Sequence, residues 1–344
     1  MKYKSMLVPA VVLLMDVARA QDGVQVYGVI GGAVRELTNA DGAGRSVLTE
    51  GSVGWYEQNR WGFRGTELFD DGMDAHFVLE GGFNAGTGTL DNTNGRIWNR
   101  IATVGLTGKW GTVDIGHNYT IAHNTARNFD PLLYRFIGLI PIGPSSAGAK
   151  ADNDIRYTGV AGPVTVRVEY SAGEMAGSAA NGALVAGSVL YVNGPLTVGG
   201  AYTKRKPNIA AVTASPLYKD NEHWVAGGAY IAGPLRFAGG YMRETQDTVS
   251  VDNTIRNTWG GINYNLTQAL QLSGALYWTR TRTAGRDGQR DLSLLALTYA
   301  LSKHTTAFAE ADHSGFDGKY TYYLAPPAGV VSQNGVALGL SHRF

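Results

Sequence analysis

The 344-residue chain has a formal net charge of +1 and no cysteine. It therefore cannot build a disulfide framework, a thiolate metal site or a cysteine nucleophile, and its charge gives no general reason to expect nucleic acid as a partner. The 47 glycines, 18 tyrosines and 7 tryptophans sit in a chain of mean hydropathy −0.12, so a membrane protein of this make-up must alternate apolar with polar residues along strands.

The first element is a targeting segment. Lys2 and Lys4 form a short basic region, Met6 to Met15 an apolar run, and Ala18 and Ala20 a small-residue A-x-A pattern. Together they predict a secretory signal over 1–20, cleaved after Ala20, with the mature chain 21–344 beginning at Gln21. The apolar run falls short of the ~20 residues a helical span requires. No later run approaches that length, so helical membrane spans are excluded. No charge run, Ser/Pro tract or low-complexity stretch divides the mature chain into two cores.

From residue 21 onward the repeated unit is a two-residue alternation. In Arg60 to Thr66, Trp61, Phe63 and Gly65 share one face, and Arg60, Gly62, Arg64 and Thr66 the other. In Ala75 to Phe83, Ala75, Phe77, Leu79 and Phe83 oppose His76, Glu80 and Gly82. In Val164 to Tyr170, three valines and Tyr170 oppose Thr165, Arg167 and Glu169. In Leu235 to Met242, Leu235, Phe237 and Tyr241 oppose Arg236 and Ala238. The polar face is rich in Gly, Thr, Ser and Arg, which suits a lumen lined by small polar groups better than the solvent face of a sandwich. Connections alternate strictly between short turns and long polar stretches. The short ones lie near 70–72, 108–110, 161–163, 193–195, 232–234, 265–267 and 302–304, and three of them carry a Gly-Pro pair. The long ones lie near 38–57, 87–95, 120–151, 174–181, 206–220, 247–253, 284–287 and 317–334. This predicts an all-β, antiparallel transmembrane barrel of about 16 strands, wide enough for an aqueous channel. The last strand, with Val336, Leu338, Leu340, His342 and Phe344 on one face, runs to the final residue, as a sheet that closes on itself requires.

Several segments are familiar in order and spacing. Asn59-Arg60-Trp61-Gly62-Phe63-Arg64-Gly65-Thr66-Glu67 followed by Leu79-Glu80-Gly81-Gly82-Phe83-Asn84 resembles the opening hairpin of general diffusion porins of the β-proteobacterial type. Asn99-Arg100, Ala102-Thr103-Val104-Gly105-Leu106 and Trp110-Gly111-Thr112-Val113-Asp114-Ile115-Gly116 resemble the next hairpin. Asn153-Asp154-Ile155-Arg156-Tyr157, Tyr299-Ala300-Leu301-Ser302-Lys303-His304-Thr305 and the terminal Ser341-His342-Arg343-Phe344 resemble later elements. The resemblance spans nearly the whole mature chain. It implies a homotrimer in the outer membrane, contacts with lipid and lipopolysaccharide, a third long loop folded inward to narrow the pore, and Phe344 as a signal to the barrel-assembly machinery. Its solutes would be small hydrophilic molecules and ions. The chain departs from the family pattern at Gly31, at Ile101 and in an unusually apolar inward loop (Leu132, Leu133, Phe136, Ile137, Leu139, Ile140, Ile142).

A pore selects by width and wall charge. Arg60, Arg64 and Arg156 have lumen parity, and the resemblance implies a basic wall facing the loop at such positions. Arg100 shares parity with the lipid-facing Ala102 and Val104, so a lumen position would require a bulge or a place above the apolar band. Asp130 and Glu80 are the candidate carboxylates of the opposing wall. Arg127, Arg135, Lys150, His117 and His123 crowd the loop, which points to mild anion preference. Each arginine could equally serve only to pair barrel carboxylates. A substrate-specific channel of the same fold is the main alternative. An outer-membrane enzyme would need a nucleophile with a positioned base, and neither Gly-x-Ser-x-Gly nor His-Glu-x-x-His occurs. No cofactor or metal is expected.

Overall fold

A computed structural model describes residues 23–51, 56–92, 94–136, 148–208, 218–322 and 324–344. The expected signal segment and loop residues Ile137, Leu139, Ile140 and Ile142 lie outside the described residues. The strands are β1 (Gly23–Leu37), β2 (Val47–Gly51), β3 (Arg60–Leu68), β4 (Asp74–Gly82), β5 (Ile101–Gly108), β6 (Gly111–Tyr119), β7 (Lys150–Ala161), β8 (Val164–Ser171), β9 (Leu184–Asn193), β10 (Leu196–Arg205), β11 (Tyr218–Ala232), β12 (Leu235–Thr248), β13 (Asn253–Asn265), β14 (Leu270–Thr283), β15 (Arg286–Ala300), β16 (Thr305–Gly318) and β17 (Ser332–Arg343). Among the described residues one helix, α1 (Ile121–Phe129), interrupts them between β6 and β7.

Each strand from β3 to β17 pairs antiparallel with the next, and β1 pairs with β17 from Val29↔Arg343 to Leu37↔Gly335, closing the sheet. On its other side β1 pairs with β3 over Gly23–Val29 and with β2 over Ala33–Leu37. β2 therefore continues the wall position of β3, and the 17 strands make a closed 16-stave barrel with no free edge. The stretch 38–57, read as loop, holds β2 as an addition. Five residues are too few to show a two-residue period against polar flanks.

Alternation sorts the two faces, and it is inverted relative to a soluble protein. Val24, Val104, Val189 and Leu338 are 65%, 59%, 52% and 62% exposed, whereas Arg35, Thr103, Ser188 and Ala337 on the opposite face of the same strands are buried. All four face assignments made from the sequence agree with the register. Exposed Tyr230, Phe237, Tyr264 and Tyr299 ring the short-turn end of the apolar band, and Trp224 and Trp278 ring the other, as interfacial aromatics do. The three Gly-Pro turns place Gly162, Gly194 and Gly233 at φ of 57°, 54° and 57°, a left-handed backbone that favours glycine. The wall is uneven in height. β3 to β6 have 8 or 9 residues each, and β11 to β17 have 12 to 15.

Candidate pore constriction

The connection after β6 turns inward at Thr120. Its side-chain oxygen accepts from the His123 N–H at 3.2 Å, capping α1, while its hydroxyl donates to the Gly148 carbonyl at 2.8 Å. The first turn of α1 contains no acidic residue. Glu169 of β8 takes that place, accepting from the Ile121 N–H at 2.8 Å, where a carboxylate is favoured by the exposed N–H groups and the helix dipole. Arg156 of β7 in turn donates to Glu169 at 2.9 Å and to Asp154 at 3.0 Å.

Ile121, Ala122, Thr125, Ala126 and Phe129 form the buried stripe of α1. They pack on inner-face residues of β8 to β12. Phe129 lies on Gly227, where an added Cβ would come within 2.7 Å of its ring, and Pro131 lies on Gly261, where the corresponding distance is 2.8 Å. Three side chains from successive staves then clamp the end of α1. Arg236 of β12 donates to the carbonyls of Asn128 (2.9 Å) and Pro131 (3.2 Å), Trp259 of β13 donates to the Phe129 carbonyl (2.9 Å), and Tyr277 of β14 donates to Asp130 (2.6 Å). Further on, Phe136 packs edge-on to Tyr56 at 5.3 Å, which stacks on Phe308 of β16 at 4.9 Å. Residues 121–136 of the segment thus run along the inner wall from β8 towards β16.

On the wall formed by β1 and β3 to β6, Glu80 of β4 is the hub. It accepts from Arg100 Nε at 2.7 Å and from the Tyr27 hydroxyl at 3.0 Å, and Arg60 Nε lies 3.6 Å away. Arg100 also donates to Gln58 and stands over the Tyr119 ring at 5.5 Å, as does Lys150. Arg64 is exposed, donates to Gln25 at 2.8 Å and covers the Tyr27 ring at 5.2 Å. From the segment, Arg135 faces Glu57 at 3.4 Å. Burial, then the positive charges of Arg60 and Arg135, hold the Arg127 guanidinium below its ordinary value; the cations crowd one another. Burial alone would raise the Glu57 carboxyl, but its bond from Arg343 and the charge of Arg135 more than offset this, and it lies below the usual range.

Two expected wall residues occupy other positions. Asp130 is fully buried and caps the end of α1, with Tyr277 and the Tyr134 N–H (2.6 Å) as donors. It fastens the segment and has no face towards water. Arg156 is only 5% exposed, and its Nη2 donates to Asp154, Glu169 and the Tyr119 carbonyl. Arg100, whose parity pointed to lipid, lies inside. It precedes the first residue of β5, so the strand alternation does not govern it. Glu57, Trp259 and Tyr277 escaped sequence reading altogether, and Arg236 was read only as a polar-face residue of its strand. Only their register against the inward segment gives them a role. Phe344 is exposed on the outer face, and its backbone exchanges two 3.1 Å hydrogen bonds with Gly28 to finish the closure.

Residues 10–319 match the profile of the Gram-negative porin family. Among curated proteins, the chain is similar to an outer membrane porin protein of Bordetella pertussis, with 28% identity over 334 residues covering 83% of this chain and 82% of that one. It is also similar to outer membrane porin protein 32 of Delftia acidovorans, with 26% identity over 99% of both chains. Among solved structures, an anion-selective porin from Comamonas acidovorans has a TM-score of 0.78 at 22% identity, covering 94% of this chain and 100% of that one. The trimer form of OmpT, an outer membrane protein of Vibrio cholerae, has a TM-score of 0.69 at 16% identity, covering 94% and 100%.

Proposed function

The chain belongs to the Gram-negative porin family, and we propose that it acts as a homotrimer whose three pores each favour anions. It is an outer-membrane general diffusion porin, a water-filled barrel for the passive passage of small hydrophilic solutes and ions. Family and fold point to a channel rather than an enzyme.

Selectivity rests on one observation. Among the described residues, Arg60, Arg100, Arg127, Arg135 and Lys150 share one electrostatic neighbourhood with the carboxylates Glu57, Glu80 and Asp91. This leaves a positive excess along a confined column of water between low-dielectric walls, where fields are focused. Arg60, Arg64, Glu80 and Arg100 form the open wall of the constriction, Arg127 and Arg135 the facing segment, and Arg156 and Asp130 its fastenings. Residues 1–20 act as the export signal. Phe344, presented on the lipid face at the barrel seam, acts as the cue for the assembly machinery.

The test is the reversal potential of the refolded protein in a planar bilayer under a KCl gradient. Large, nearly ohmic steps in threes with anion sign are expected, and Arg60→Gln combined with Arg135→Gln should reduce that preference. A cation-signed wild type would overturn the charge assignment. Small steps blocked by a single solute would instead indicate a substrate-specific channel.

A further inference from the structure

A row of hydroxyls on the inner face of the barrel ends at an arginine. Thr107 of β5 is directly opposite Thr112 of β6, Thr112 opposite Thr158 of β7, and Thr158 opposite Arg167 of β8. Val166 and Val168 on either side of Arg167 are exposed on the outer face, so Arg167 points into the lumen, where it is half-buried. Arg60, Arg100, Arg135 and Arg156 each have a carboxylate within 3.6 Å. Among the described residues Arg167 forms no ion pair and no hydrogen bond. Its cross-strand neighbours are Thr158 and Ser188 directly and Arg156, Val160, Ala186 and Leu190 diagonally, none of them acidic. The carboxylate two residues along its own strand, Glu169, is held by Arg156 at 2.9 Å and by the Ile121 N–H at 2.8 Å. The neighbouring charge that acts on Arg167 is the like charge of Arg156. A guanidinium taken partly out of water beside another cation, with no counter-ion, is unfavourable.

Depth separates this residue from the constriction. Counted from the short-turn end, Arg167 is the fourth residue of β8, whereas Glu80 is the seventh of β4 and Arg60 the ninth of β3. With short turns at the periplasmic end, Arg167 lies on the periplasmic side of the level where Glu80 gathers its arginines. We propose that Arg167 is a second anion-binding station of the pore, which takes oxyanions such as inorganic phosphate. Its guanidinium fork matches two oxygens of a phosphate or carboxylate. The hydroxyls of Thr158, directly opposite, and of Thr165, two residues along the same face, supply further donors. An oxyanion there provides the counter-charge that the chain itself does not. One fork without a closed cage also lets the anion leave again, as conduction requires. The proposal rests on the anion-favouring reading of the pore and adds to it a saturable binding step outside the constriction.

Inorganic phosphate is the probe. The refolded full-length protein carries chloride current in a planar bilayer, and phosphate is added at neutral pH and constant ionic strength. Chloride conductance is expected to fall saturably with phosphate, and Arg167→Gln to raise the half-blocking concentration about tenfold. Arg167→Lys, which keeps the charge and loses the fork, should fall between the two. Because Arg167 holds no partner within the described barrel, both variants are expected to fold. The absence of saturable block in wild type, or one half-blocking concentration shared by wild type and Arg167→Gln, would overturn the station. The sign of the wild-type reversal potential in KCl keeps this apart from the charge of the constriction. A cation-signed wild type whose phosphate block still depends on Arg167 overturns the constriction charge and supports the station. An anion-signed wild type whose block is indifferent to Arg167 overturns the station alone.

Discussion

The phenol of Tyr277 donates to Asp130 at 2.6 Å, fastening the base of the inward segment to a strand 147 residues later in the chain. Burial pushes the Asp130 carboxyl above the usual range, and the bonds from Tyr277 and the Tyr134 N–H pull it part of the way back. Tyr277→Phe takes one donor from a fully buried acid, at a cost of about 1–3 kcal/mol. Expected are noisier open-channel currents and faster proteolysis of the segment, with the barrel itself intact. Currents as quiet as wild type would mean that Arg236 and Trp259 hold the segment without Tyr277.

The contact of Phe129 with Gly227 gives a paired prediction. Any side chain at Gly227 meets the Phe129 ring, and a Cβ also stands 2.6 Å from the Gly239 carbonyl. Gly227→Val should destabilise the docked segment by about 1–3 kcal/mol through overpacking. Phe129→Ala alone opens a cavity under α1. The double variant should recover part of the loss, because each change removes the other's misfit. Strictly additive losses in thermal unfolding would show that the two residues do not share this space.

Glu80 pairs with both Arg60 and Arg100. Glu80→Gln keeps the shape, removes the carboxylate and releases two guanidinium charges to the channel. The reversal potential should move further in the anion direction, with conductance changed less than twofold. Movement in the cation direction would mean that the two arginines collapse onto other carboxylates, Glu57 first among them.

Much of the barrel was legible because its signal is local. Alternation such as Val164 to Tyr170 fixes two faces without reference to any other strand, and Gly-Pro pairs fix turns within three residues. The constriction is legible only in part. The inner-face positions of Arg60, Arg64 and Glu80 follow from parity within their own strands. Arg100 does not, because it sits one residue before the ladder starts. Asp130 and Arg156 were recognisable as charges, but whether a charge faces water or an ion-pair partner depends on Tyr277 and Glu169, which lie 147 and 13 residues away. No periodicity reports such pairings. The docking of α1 depends on Gly227 and Gly261, whose missing side chains matter only once Phe129 and Pro131 are placed over them.

His123 makes the segment sensitive to acid. It lies in α1, outside the spanning strands, between the rings of Tyr119 (4.5 Å) and Tyr134 (4.9 Å). Burial first, and then the positive charge of Arg127 on its own helix and of Arg100 and Lys150 from the wall, bring it from 6.5 down to about 3. The folded segment therefore holds neutral imidazole, whereas the released segment takes up a proton near pH 6.5. Stability from this residue is complete above about pH 6.5 and is lost progressively as pH falls towards 3. Glu57, lowered by Arg343 and Arg135 against its burial, acts in the same direction below its ordinary value, while Asp130, raised by burial, opposes it. Current fluctuations in a planar bilayer should thus rise between pH 7 and pH 4. His123→Phe, which keeps the ring and cannot be protonated, should remove the part of that rise lying above pH 4.5. A variant with the same pH profile as wild type would transfer the acid sensitivity to the carboxylates.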